Sequence, residues 1–508
     1  METGPPPPTA PSSEPAIVPA RRLPPGPVLG GLAVVLIAAA VVVGAVWVIP
    51  ALSGRSPEPS GGARPSGIAT APSALTSPPA TDAPGLRPSP AGSGPRPTST
   101  TLPGGPFAST GSIAVVGNDG SLSLVTASGL SKPLAPAGDG SFLFPAWSPD
   151  GLRIAAIHAG PPDNAILVFD ASRVASGQPA EPVVIFRSAV IGPFYLSWTP
   201  DGRSVSFLAD EPDGLSLRVA PADGSAPLDG TGPGAKIRSG NPFYFDWIGN
   251  DRLLAHVGTG PFAFLGEIGL DGKSAAADLP SPGDFRSAVV NHDGTFDSFV
   301  RSGPGGSAEI VVAARDGSTE HTMPVFGTAA VAFDPAGDTI ASIGPTQPPE
   351  PRYTIPLGSL RLLDARAGTV RTLLEGSVVS FWWSPDGKMI AALRVQPVAG
   401  ATPSKGPSSP TGPAPSATEQ PTEIRLLFVD VATGEIRSQP IVHPGQQFID
   451  QVLTYFDQYA LSHRLWAPDS SSLLFPVADA NGATRIAVMH PNGDPPVLID
   501  GAAGFWSP

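Results

Sequence analysis

WSPDG stands at 147–151, WTPDG at 198–202 and WSPDG again at 383–387. The pentapeptide reads as a turn. Pro149 has its φ preset near −65°, which suits the first central position of a type I turn. The Ser148 hydroxyl is placed to bond nearby backbone. Gly151 supplies the positive φ that closes a hairpin with a bulge. An aromatic-ended apolar run, FLFPAW (142–147), precedes the turn, and a β-branched run, RIAAIH (153–158), follows it. The motif therefore joins two antiparallel strands.

Aligned on the aromatic, Trp147, Trp198, Trp247, Val290, Phe333, Trp383 and Trp466 head seven units. Each continues with an apolar run such as SVSFLA, TIASI or MIAALRV, then a second such as NAILVFD or EIRLLFVD. A weaker fourth run follows in several units, as in PVVIF and VRTLL. Most spacings are 43–51 residues; Trp383 to Trp466 is 83, with an insert inside it. Four-stranded antiparallel meanders at this period are propeller blades.

The pattern resembles the WD40-like, TolB-type β-propeller repeat over roughly 111–508. It is strong at 147–154, 198–205 and 383–390, and degenerate at 247–253 and 290–296. The resemblance implies a fold and carries no catalytic residues. TolB proteins are periplasmic and have a separate N-terminal α/β domain. This chain has an apolar run and a Pro-rich stretch there, so a TolB transport role is not carried over.

The two ends complement each other. The chain stops at GFWSP (504–508), a first strand without its continuation, while SIAVVG, SLSLVTASG and KPLAP from 111 onward form three strands without a first. Joined, they make one blade and remove an open sheet edge. The expected fold is all-β: an eight-bladed β-propeller of four-stranded antiparallel blades. Seven blades is the alternative, should 290–330 or the composite blade not form its own sheet.

Before the repeats, no charge occurs between Arg22 and Arg55, and Val28–Ile49 is apolar throughout. Twenty-two helical residues span roughly 33 Å, enough for a hydrocarbon core of about 30 Å. A transmembrane helix is expected over 28–50. A cleaved signal peptide is the alternative, but its apolar region is usually about 7–15 residues. Flanking Arg residues tie under the positive-inside rule. A short N-terminal tail and a long C-terminal region favour a signal anchor, with 1–27 cytoplasmic and the propeller extracytoplasmic. Residues 51–110 are rich in Pro, Ser and Thr and read as a disordered linker.

Composition narrows the chemistry. The net charge of −13 argues against nucleic acid, where Lys and Arg must neutralise phosphates. With no cysteine there are no disulfides or thiolate sites. No G-x-S-x-G, H-E-x-x-H, EF-hand or phosphate-binding glycine loop occurs, and the seven histidines are scattered. No cofactor or metal is expected.

Irregularity gathers on the face opposite the WSPDG turns, and variable loops make that the face expected to carry function. It includes a low-complexity insert at 396–422, the loop 344–358, and a link at 441–463 whose aromatics recur at helical spacing, predicting a short helix near 446–459. Three residues before the aligned Trp stand Phe144, Tyr195, Tyr244 and, in the last unit, His463. Rings at this position line an arc of the central opening, with Asp246 beside them, or they pack between blades. Tyr455, Asp457 and Tyr459 on the predicted helix complete the candidate ligand-binding set; no catalytic residue is assigned.

Two functions fit. One is a binding scaffold or sensor at the cell envelope, anchored in the membrane, with a protein, peptide or glycan partner. The other is an enzyme acting on envelope glycans or peptides at the channel mouth. An enzyme places clustered carboxylates with perturbed pKa values there; a binding module shows aromatics and amides without such a cluster.

Overall fold

The computed structural model describes residues 107, 109–227, 236–260, 263–274, 288–303, 307–348, 355–399, 422–479 and 483–508. The expected transmembrane helix, cytoplasmic tail and nearly all of the linker lie outside these residues, as do 400–421 of the insert.

Every strand pairing is antiparallel, and the sheets follow one another along the chain. Ser141–Trp147, Arg153–Ala159, Asn164–Asp170 and Val183–Ser188 form one four-stranded sheet. Gly192–Trp198, Ser204–Glu211, Gly214–Pro221 and Lys236–Ser239 form the next. A three-stranded sheet spans Phe243–Ile248 to Phe264–Gly269, and a four-stranded one Val289–Val290 to Glu320–Val325.

A seven-stranded sheet then runs from Ala330–Phe333 to Ile436–Ser438. Its long strand Val370–Trp383 serves two units. Val370–Leu374 pairs back with Leu360–Leu363, and Ser380–Trp383 pairs forward with Ile390–Leu393. Gly376, at φ 105°, lies between the halves, where a side chain would be strained. The last sheet holds Leu473–Ala478, Thr484–Met489 and Val497–Asp500; the bridge between Trp466 and Leu473 supplies its inner position.

The ends meet as the sequence predicts. Ala503–Trp506 pairs with Ile113–Val116 in the register Ile113 to Trp506 and Val116 to Ala503. Leu122–Val125 and Ser131–Ala135 complete that sheet. Each unit also touches the next, back to the first, so the sheets form a closed ring.

Burial explains the composition of the second strands. Ile154, Ala155, Ala156 and Ile157 are all fully buried, as are Ile390, Ala391, Ala392 and Leu393. A strand sandwiched between two neighbouring sheets loses its polar face, so the period-2 alternation disappears there. The outer strand Ser131–Ala135 keeps exposed residues.

The aromatic of the motif couples the units. Trp198 Nε1 donates to the Ala146 carbonyl (2.9 Å), Trp383 Nε1 to Ala332 (3.2 Å), and Trp466 Nε1 to Trp382 (3.1 Å). Each acceptor lies one residue before the aligned aromatic of the preceding unit. A phenyl ring has no such donor, so the repeated indole has a reason beyond its apolar area.

The turns behave as their residues require. Gly151, Gly202 and Gly387 have φ 69°, 68° and 69°. Asp150 Oδ1 accepts from the Leu152 amide and the Ser148 hydroxyl, and Asp386 Oδ1 repeats this with Lys388 and Ser384.

Two expectations change in detail. The helix predicted near 446–459 is three short pieces: Gln446–Gln451, a 3₁₀ turn Leu453–Tyr455, and Phe456–Ala460. The β-branched pair Val452 and Thr454 stands at the break. At the edges of the 396–422 insert, Gln396, Pro397 and Thr422 belong to strands, with Gln396 paired to Glu423.

Candidate functional site

The link after Ile436–Ser438 enters the ring and plugs it. Phe448, Val452, Phe456 and Tyr459 are its buried residues at helical spacing, while Tyr455 is 37% exposed. The packed aromatic between Val452 and Tyr459 is therefore Phe456. Phe448 lies against Phe475 (5.1 Å between centroids) and Trp382, and Phe456 against Phe381 (5.4 Å).

The arc of rings three residues before the aligned aromatics is the seat of this plug. Phe144 takes a left-handed backbone, φ 49°, and stacks on Tyr459 at 5.5 Å. The Tyr195 hydroxyl donates to the Gln458 carbonyl (3.0 Å) and accepts from Gln458 Nε2 (2.9 Å) and Ser462 Oγ (3.0 Å). Tyr244 donates to Asp457 Oδ1 (3.1 Å). Gln458 also pairs with the Phe245 backbone, accepting from its amide and donating to its carbonyl. Phe144, Tyr195, Tyr244, Asp457, Tyr459 and His463 are all buried. The structure brings these sequence-derived candidates together, around a segment of the same chain. Tyr455 stays at the surface, with its ring 6.0 Å from Tyr244.

His463 closes the cluster. Its Nδ1 lies 2.7 Å from Ser462 Oγ, and its ring packs on Phe505 of the closing strand at 4.8 Å. Burial pushes its pKa down to about 4, so the ring is neutral at pH 7.

Beyond the plug, toward the WSPDG turns and so away from the face expected to carry function, a cavity of about 430 Å³ remains. Its walls are the inner strands of five consecutive units, including Asp246, Phe333 and Trp383; the plug residues Leu461, His463 and Arg464 also line it. Pro335 and Pro385 of the motif turns stand at its edge.

Asp246 is held at both oxygens: Oδ1 accepts from the Trp247 amide (2.8 Å) and Oδ2 from the Val290 amide (2.9 Å). Burial raises its pKa to about 7 despite these bonds. Its geometry is that of a clamp between two units. Asp334, the other carboxylate of the cavity, accepts from the Asp338 and Thr339 amides of its own turn. Among the described residues, no group of His, Asp or Glu is arranged to hold a metal ion.

Arg464 was not among the sequence-derived candidates. It is exposed to the cavity, and burial of its surroundings lowers its pKa. Its side chain makes no hydrogen bond or ion pair among the described residues; only its backbone carbonyl is engaged, by the Trp506 amide. A signal existed. Two residues before the aligned aromatic, the other units carry Pro145, Leu196, Phe245, Ala288, Val331 and Phe381, so Arg464 is the charged exception.

No protein-family profile and no curated protein matches the chain. Solved structures do. A structure titled as a eukaryotic initiation factor aligns over 78% of this chain and 99% of its own, at 14% identity and TM-score 0.45. TolB from Acinetobacter baumannii aligns over 65% of this chain and 63% of its own, at 17% identity and TM-score 0.33. A putative TolB from Agrobacterium tumefaciens aligns over 55% of this chain and 95% of its own, at 19% identity and TM-score 0.32. The chain's own sheet order, ring closure and motif turns define its fold. The fold is a β-propeller. In this propeller one end of the axis is stopped by its own 446–463 segment, and the other opens as a half-ring pocket.

Proposed function

We propose that the chain is an eight-bladed propeller acting as a membrane-anchored, extracytoplasmic binding scaffold or sensor at the cell envelope, with its site in the cavity on the WSPDG face. Support for eight comes from counting the seven-stranded sheet as two blades that share Val370–Trp383. Support for anchoring comes from the apolar run at 28–50. Among the described residues, no helix is long and apolar enough to cross a membrane, and the run lies outside them.

The observation that carries the binding reading is the state of the cavity carboxylates. Asp246 and Asp334 are each tied to two backbone amides, while aromatic walls and a free guanidinium face the space. An acid–base pair needs its oxygens aimed at a substrate. Here the groups left free are suited to hold a ligand.

The test is crosslinking in native membranes with mass spectrometry, comparing wild type with Leu461→Trp, which fills the cavity from an exposed position on its floor. Loss of the crosslinked set in the variant is expected; an identical set overturns the site. Protease added to intact cells is expected to remove the propeller, and complete protection overturns the topology.

A further inference from the structure

The geometry points to a small organic monoanion as the ligand of this cavity, its carboxylate paired with Arg464 and its apolar or aromatic body against Phe333, Trp383 and Leu461. The inference rests on the binding reading above and names the ligand class.

Arginine stays charged in proteins, and Arg464 is an exposed side chain lining the cavity, so its donors are open to a ligand. Arg464 reaches the cavity with no acidic partner among the described residues. Its fork of donors matches a carboxylate in two parallel hydrogen bonds. Position points the same way. The other six aligned units keep an apolar residue two before the aromatic. A packing role is therefore met without charge, and of the five units that wall the cavity only this one carries a charge there.

Charge count selects among anions. One guanidinium neutralises one negative charge. A dianion such as a phosphate monoester would bring a second charge into a space that Asp246 and Asp334 also line. The whole chain carries −13, which further disfavours polyanions. Size selects the body: about 430 Å³ sits at the lower end of small-molecule sites, roughly 300–1,000 Å³. Phe333, Trp383 and the 39%-exposed Leu461 offer flat apolar contact. A free acid and the C-terminal residue of a peptide share this chemistry.

Calorimetry on the full chain in detergent tests the assignment with N-acetyl-L-phenylalanine, its amide, and phenyl phosphate. The acid is expected to bind about tenfold or more tighter than the amide, and tighter than the phosphate. Arg464→Gln is expected to remove that preference while leaving the amide's weak binding unchanged. Arg464→Lys, which keeps the charge but not the fork, falls between. A tetrapeptide ending in Phe, with free or amidated C-terminus, separates the two sources: it binds only if a chain end is admitted, and then only in its free form. Equal binding of acid and amide, tighter binding of the phosphate, or an acid affinity unchanged in Arg464→Gln overturns the inference. If acid and amide bind alike and Leu461→Trp abolishes both, the cavity is still the site and only the anion assignment falls. If no probe binds and Leu461→Trp leaves the crosslinked set intact, both fall.

Discussion

Trp147 Nε1 donates a hydrogen bond to the carbonyl of Phe505 at 3.0 Å, joining residues 358 positions apart. It is the same indole bond that Trp198, Trp383 and Trp466 make to the units before them, made here to the last strand of the chain. The C-terminus is thus a working part of the first blade, held by strand pairing to Ile113–Val116, by this bond, and by the packing of fully buried Trp506 against Phe107.

A graded series follows. Trp147→Phe keeps most of the apolar area and removes one donor, so a loss of about 0.5–1.5 kcal/mol is expected, the net worth of one hydrogen bond, because Phe505 keeps its ladder pairing with Ala114. Trp506→Ala empties a fully buried site and is expected to cost about 3–5 kcal/mol. Deleting 505–508 removes the strand and lowers the melting temperature further. Denaturant titration of the three proteins checks the order; an unchanged midpoint for the deletion excludes closure.

Gln458 does for the plug what a strand residue does for a sheet. Its amide satisfies both the N–H and the C=O of buried Phe245 and bonds the Tyr195 hydroxyl. Gln458→Leu keeps the bulk and strands the Phe245 N–H and C=O, each at about 1–3 kcal/mol when buried, while the Tyr195 hydroxyl keeps the backbone carbonyl of residue 458 and Ser462. Lower denaturant stability is expected, with faster amide exchange at Phe245. Exchange at Phe245 as slow as in wild type contradicts this docking.

The repeat was legible because its cause is local: Pro, Asp and Gly at fixed places make one turn wherever they occur. Closure was legible from the strand missing at 111 and the spare one at 503–506. The plug was less so. Inward aromatics such as Tyr195 and Tyr244 look the same in sequence whether they meet a ligand or a segment from 263 or 213 residues away. Helical spacing at 441–463 carried the right faces, with Phe456 rather than Tyr455 turned inward, but a 3.6-residue period does not reveal a break at Val452. Arg464 was not legible in the ring pattern three before the aromatic, because its departure lies at two before.

Acid acts on the plug and on the Asp246 clamp with opposite sign. His463 has its folded pKa lowered to about 4, below the value near 6.5 of an unfolded histidine. The unfolded chain therefore takes up the proton first. Stability that His463 contributes above about pH 6.5 is lost as pH falls toward 4. Asp246 is raised to about 7, so the folded chain takes up its proton first. Its contribution is present near pH 4 and is lost as pH rises through 7. Unfolding free energy measured from pH 4 to 8 is expected to lose its acid-side decline in His463→Gln and its neutral-side decline in Asp246→Asn. A profile for His463→Gln parallel to wild type means the ring does not titrate in this window.

Arg464 offers a stability test that is independent of any ligand. Its guanidinium has no partner among the described residues, yet its charge is kept where the corresponding residues are Leu196, Phe245 and Phe381. Residues retained for binding are often ones the fold would be firmer without. Arg464→Leu restores the apolar pattern and removes an unpaired charge from the cavity wall. A rise in melting temperature of about 1–3 °C is expected for a domain of this size, measured in the absence of ligand. Arg464→Gln, which leaves an uncharged polar group facing the cavity, is expected to stay close to wild type. A fall in the Leu variant would show that the guanidinium supports the fold, and its charge would then need no ligand to explain it.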